Sequence, residues 1–216
     1  MTDKDLKQQV QNALEWEPSI DQSDIGVSVV EGIVTLRGTV SSYSEKSSAE
    51  RVVLSVYGVK GVANDLDVRL ASSAERTDTE LAQVAAGALA WNTRVPAGNV
   101  TVSVTKGCLT LKGHVDWQYQ KDSASRAVRD LTGVRSVINE IDVTPGVSVP
   151  DVRDRIEAAF TRSAEIDARR INVTAHEGRV ILSGNVRSWS ERRQAERAAW
   201  AAPGVTQVDD RLSVTP

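Results

Sequence analysis

The 216-residue sequence predicts an α+β protein of three tandem modules, each running helix, strand, strand, helix, strand over a three-stranded mixed sheet, with both helices on one face. The first observation is a repeated stretch. Val29-Val30-Glu31-Gly32-Ile33-Val34-Thr35-Leu36-Arg37-Gly38-Thr39-Val40 returns around Gly107 and Gly113, and again around Gly178 and Gly184. The steps between copies, from Gly32 to Gly107 and on to Gly178, are 75 and 71 residues. The second observation is that the same steps hold far from the glycines. They carry Leu6 to Leu81 and Val152, Ala49 to Ala124 and Ala195, and Gly58-Val59 to Gly133-Val134 and Gly204-Val205. A fixed long period is the signature of a repeat array. The modules span residues 1–70, 75–145 and 146–216. A module of this size buries only about 60% of its unfolded surface, so module–module packing is expected to matter.

Each module opens with a helix. Thr2 with Asp5, Thr77 with Glu80, and Ser148 with Asp151 have the spacing of a capping box, a hydroxyl followed three residues on by an acid. Leu6, Val10 and Leu14, then Leu81, Ala85 and Leu89, then Val152, Ile156 and Phe160 recur at helical spacing and make one apolar stripe per helix. Two strands follow, with alternating apolar residues such as Val100, Val102 and Val104. Glu31-Gly32, Lys106-Gly107 and Glu177-Gly178 are two-residue hairpin turns, in which glycine supplies a positive φ. The second glycine of each copy, Gly38, Gly113 or Gly184, marks a bulge or a close backbone approach.

The second helix starts at a capping box in modules one and three, Ser42 with Glu45 and Ser188 with Glu191. Module two lacks the box, and Asp116 is its candidate cap. Small residues line the buried face of these helices, as in Ala195, Ala198, Ala199 and Ala202. Gly58, Gly133 and Gly204 stop the helices, and a third strand closes each module. Because a helix joins strands two and three, these should be parallel with a right-handed crossover. The joins between modules are short: Ala71 to Arg76 is polar, and Thr144-Pro145-Gly146-Val147 has turn chemistry.

Net charge is −3, which gives no general attraction to nucleic acid. Residues 1–70 carry a net −4, residues 71–145 are neutral, and residues 146–216 carry +1 with arginine as their sole cation. The lone cysteine, Cys108, is expected as a small buried residue and allows no intrachain disulfide. No apolar run reaches transmembrane length. The chain reads as cytoplasmic, or as periplasmic if a leader has been removed.

The pattern V-x-V-x-x-G-x-V-x-L-x-G-x-V, followed by the second-helix alanine and G-V-x-x-V-x-N, resembles the BON domain. Its matches are Gly32, Gly38, Gly58, Val59 and Asn64 in module one, and Gly107, Gly113, Gly133, Val134 and Asn139 in module two. The third copy has Asp209 or Asp210 where the others have asparagine. The resemblance implies a non-enzymatic module associated with osmotic and envelope stress and with phospholipid surfaces, and in some cytoplasmic relatives with potassium. It implies no cofactor.

No catalytic constellation stands out. His114 and His176 sit in no motif, and Cys108 has no ligand partner at metal spacing. The acidic pairs Asp65/Asp67 and Asp209/Asp210 could hold a hard cation, but alternation along a strand sends Asp209 and Asp210 to opposite faces. At about 100° per helical residue, Trp189, Arg193, Arg197 and Trp200 share one face of the last helix, away from its alanines. Tyr43 occupies the matching face in module one, and Trp117 lies near the second helix of module two. These six residues are the candidate binding face. Two readings compete, packing on a neighbouring module or contact with an anionic phospholipid surface or a partner protein, and packing is the preferred one. Trp16 and Trp91, at matched ends of the first helices, are expected to pack between modules. The functional expectation is a binding array. A small-cation sensor and a protein-only scaffold are the alternatives.

Overall fold

A computed structural model describes residues 2–144, 151–163 and 166–215. Its elements follow the repeat. Module one contains α1 (Asp3–Trp16), β1 (Ile25–Val30), β2 (Ile33–Val40), α2 (Tyr43–Val53) and β3 (Gly61–Val68). Module two contains α3 (Asp78–Trp91), β4 (Val100–Thr105), β5 (Cys108–Val115), α4 (Gln118–Arg129) and β6 (Ser136–Val143). Module three contains α5 (Val152–Arg162), β7 (Ile171–His176), β8 (Arg179–Val186), α6 (Trp189–Trp200) and β9 (Gln207–Val214). Each module has its own three-stranded sheet with the second strand in the middle. β1 pairs antiparallel with β2, and β2 parallel with β3; β7, β8 and β9 repeat this.

Local chemistry explains the element ends. Thr2 and Thr77 close reciprocal capping boxes with Asp5 and Glu80. In module three the helix begins at Val152, after Asp151 in left-handed geometry; the Ser148 cap and the turn at 145–147 lie outside the described residues. Both residues of each hairpin loop have positive φ, for example 52° at Glu31 and 81° at Gly32, the geometry of a type I′ turn. In modules one and two a carboxylate from the first helix clamps that turn. Asp3 accepts from the backbone N–H of Glu31 at 2.8 Å and of Gly32 at 3.1 Å, and Asp78 does the same for Lys106 and Gly107.

The second glycines mark a close approach, not a bulge: the β1–β2 register is unbroken up to Gly38, and the β2–β3 register runs through it. A Cβ on Gly38 would stand 1.8 Å from the carbonyl oxygen of Asp24; at Gly113 and Gly184 the obstacle is the carbonyl of Asn99 or Arg170, at 1.9 and 2.0 Å. Glu45, 6% exposed, bolts α2 to the rest of module one. One of its oxygens accepts from Asp21 N–H and the other from the N–H and hydroxyl of Ser41. Glu191 accepts in the same way from Asp167 and Arg187.

By contact the chain forms two compact units, Met1–Val115 with Gln120–Asp142, and Asp116–Tyr119 with Val143–Pro216. Modules one and two pack together within the first. The Ser44 hydroxyl donates to Asp130 at 2.7 Å, and Arg129 reaches the Ser47 hydroxyl at 3.5 Å. Cys108 is half-buried, not buried, because it starts β5 beside the turn.

Leu36, Leu111 and Leu182 are fully buried at matched positions of the middle strands. Truncating any of them to Ala is expected to cost about 2–5 kcal/mol, because the transfer and cavity terms add. Urea unfolding of the three single variants measures this; three wild-type midpoints would contradict the assigned strand faces.

Candidate functional site

On α6, Trp200 and Trp189 are each partly covered by residues of their own module. Trp200 is half-buried and packs against the buried core of module three. Trp189 is half-buried too, and the guanidinium of Arg192 stacks over its ring at 4.8 Å. Its indole Nε1 is buried and has no hydrogen-bond partner among the described residues. Arg193 is half-buried, whereas Arg197 is exposed and donates to the Arg193 carbonyl and to Gln194.

Tyr43 lies in the packing between modules one and two. Burial pushes its phenol above the usual range, against the hydrogen bond it accepts from the Val137 backbone N–H. Trp117 is half-buried with its ring 6.5 Å from that of Tyr119, and both belong by contact to the second compact unit. Tyr43 thus belongs to the first compact unit, and Trp117, Trp189, Arg193, Arg197 and Trp200 to the second.

The departure of module three from asparagine is explained by a compensating pair. Asn64 donates to the Lys46 carbonyl at 3.2 Å and Asn139 to the Lys121 carbonyl at 2.9 Å, each tying the second helix to the third strand. Asp210 occupies the matching position and has no amide to donate. There Arg192, the counterpart of those lysines, donates through Nε to Asp210 at 2.7 Å. Asp210 still accepts from the N–H of Leu212, as Asn139 does from Ile141. Asp209 turns the other way, held below the ordinary carboxylate range chiefly by its hydrogen bond from Arg211 and also by Arg179. Asp209 and Asp210 are thus engaged by arginines, and no cluster fit to hold a metal ion occurs among the described residues. His114 and His176 are exposed.

The sequence reading missed the most exposed aromatic groups. Trp16 ends α1 and is 90% exposed; Trp91 ends α3 and is 88% exposed. Neither packs between modules, which corrects the expectation for both. The signal was available: each lies two residues beyond a buried leucine, Leu14 or Leu89, and so about 200° around the helix from it. Around Trp91 the chemistry is one-sided. After the first turn of α3, residues Leu81–Trp91 include no charged side chain, yet Val84, Ala86, Ala90 and Trp91 are exposed. From Leu81 to Val115 the chain has no acidic residue at all, while it has Arg94, Lys106 and Lys112. Trp16 instead stands between Glu15 and Glu17. No described helix is long and apolar enough to cross a membrane.

Three αββαβ modules in register, each with the paired glycines and a small-residue second helix, now meet a direct comparison: the BON domain matches at residues 2–69, 77–145 and 148–216. The chain belongs to the BON domain family. Its relatives include osmotically-inducible protein Y of Escherichia coli (strain K12), 32% identical over 145 residues, which cover 65% of this chain and 72% of that protein. Among solved structures, CdsD, a structural protein of the type III secretion system of Chlamydia trachomatis, aligns with 98% of this chain and 93% of its own at 15% identity and a TM-score of 0.27. The PrgH periplasmic domain aligns with 95% of this chain and 100% of its own at 11% identity and a TM-score of 0.25. At these scores the likeness to the two solved structures bears on nothing further.

The Arg192–Asp210 pair is only 23% and 14% exposed at its side chains. Arg192→Ala is expected to cost about 1–3 kcal/mol, the penalty of a polar group left without its partner. Adding Asp210→Asn should recover much of it, since asparagine restores the helix-to-strand bond of the other modules. Unfolding midpoints of the two variants check this; a double variant no more stable than Arg192→Ala would contradict it.

Proposed function

We propose that this BON protein is a non-enzymatic, stress-related binding protein that docks on anionic phospholipid surfaces, chiefly through the α3 end of module two. The observation that carries the reading is Trp91, left almost wholly in solvent at the end of a helix with no charge after its first turn. An apolar surface helix face calls for a cover. Tryptophan suits the boundary between headgroups and acyl chains. The acid-free run from Leu81 to Val115, with Arg94 three residues after Trp91, favours a negatively charged surface over a neutral one. Trp16 supplies a second, weaker contact, since Glu15 and Glu17 flank it. The relative named for osmotic induction supports the link to stress. The half-buried Trp189 and Trp200 serve their own module in this reading, and Arg197 adds at most an exposed charge.

The test is vesicle co-sedimentation with anionic and zwitterionic phospholipid. Trp16→Ala with Trp91→Ala should reduce binding at every salt concentration without lowering the thermal midpoint, because both side chains are exposed. Arg94→Ala should weaken binding about fivefold at low salt, following roughly 1 kcal/mol per cation near an anionic surface, and little at high salt. A double tryptophan variant that binds as wild type would refute the assigned contact. A wild-type protein that ignores vesicles would leave the protein-only scaffold as the better account.

A further inference from the structure

Among the described residues β4 pairs on one side only, with β5. Its register fixes which backbone groups are left over. Thr105 and Cys108 flank the two-residue turn and form a hydrogen-bonded pair, so Ser103 with Thr110 and Thr101 with Lys112 do likewise. The N–H and C=O groups of Val100, Val102 and Val104 therefore face away from β5. Those valines are half-buried on the helix side of the sheet, while Thr101, Ser103 and Thr105 are exposed on the other side.

α3 runs above this edge. Two open depressions of about 350 and 540 Å³ follow the seam between them. The first is bordered by Leu89, Ala90 and Val100, the second by Ala82 and Val104, and both share Ala86 and Val102. Ala82, Ala86 and Ala90 are spaced four apart along α3. At the matching positions α1 has Lys7, Gln11 and Glu15, and α5 has Arg153, Glu157 and Thr161, with Arg153 and Glu157 in an ion pair at 2.8 Å. Long charged side chains beside a free strand are a common guard against edge pairing. Module two alone lacks them.

We propose that this edge pairs with the same edge of a second copy of the chain. A strand that fits it must offer outward hydrogen-bonding groups on alternate residues, with short apolar side chains on those residues and no charge. β4 meets each requirement itself. An antiparallel pairing centred on Val102 sets Val102 against its own counterpart and Val100 against Val104, and every residue so paired has its backbone groups facing the partner. The valines of one copy enter the seam depressions of the other, and the alanines let the two α3 helices approach closely. The contact is self-complementary about a two-fold axis, as a closed dimer requires. Its residues are separate from Trp91 and Trp16, so it does not depend on lipid binding.

Sedimentation velocity across a protein concentration series tests the proposal. The wild type should form a dimer. Ala82→Lys with Ala86→Gln, which installs two of the residues of module one and adds no acid beside Trp91, should yield a monomer that retains Trp91 and vesicle binding. Should that variant fail to fold, Thr101→Lys with Ser103→Lys places like charges across the strand pair on an already exposed face and should also yield a monomer. A wild type that stays monomeric throughout would overturn the proposal. So would a dimer that survives the folded variants. Loss of vesicle binding with no change in mass would overturn it as well, and would assign the alanine stripe to lipid.

Discussion

The contact on which each module depends is that between a carbonyl and a bare α-carbon. The residue before the first strand, Asp24, Asn99 or Arg170, sets its carbonyl oxygen where a side chain on the second hairpin glycine would stand. In module two that carbonyl also accepts from the N–H of His114, at 3.3 Å. This pins the start of the first strand to the second. The turn at the other end is type I′ and, in modules one and two, is gripped by Asp3 or Asp78 at the start of the first helix. A hairpin held at both ends fixes the height of the helix above it. That height decides which helical residues end over the sheet, Leu14 and Leu89, and which stand clear of it, Trp16 and Trp91.

Features that depend on neighbours along the chain are legible in the residue pattern alone. The capping boxes of α1 and α3, the two-residue turns and the buried stripe Leu6–Val10–Leu14 all follow from spacing. Helical angle gives a poorer account of α6. Trp200 is the last residue of that helix, and long helical side chains lean back toward the preceding turn, so a ring assigned outward by angle can still reach the core. Trp189 illustrates a second limit. Arg192 is drawn toward Asp210 by an ion pair spanning 18 residues, and that placement lays its guanidinium over the Trp189 ring. A long-range partner thus sets the orientation of a local one, which no periodicity encodes.

Trp16 and Trp91 teach the converse. Their angle relative to the buried leucines places them outward, against the general preference for burying tryptophan. Geometry is the better guide because a small module has limited interior. Its core is filled mostly by leucines, valines, isoleucines and alanines, which leaves little room for a helix-end indole. The charge pattern around these tryptophans is legible too, since Glu15 and Glu17 stand beside one and Arg94 near the other.

Repetition then explains how the modules can diverge without losing the fold. The interior tolerates change only when a partner changes with it, as when asparagine becomes Asp210 and the facing lysine becomes Arg192. The outer face of the first helix carries no such obligation. There α1 and α5 bear charges, whereas α3 after its first turn bears none. A charge-free, exposed helix is unfavourable in water and gains nothing for its own core, because Leu81, Ala85 and Leu89 already supply the buried stripe. Loss of charge on that face therefore points outward, to surfaces beyond the module. Trp91 and the alanine stripe lie on different sides of the same helix, so one element can serve a lipid surface on one side and a second copy of the chain on the other.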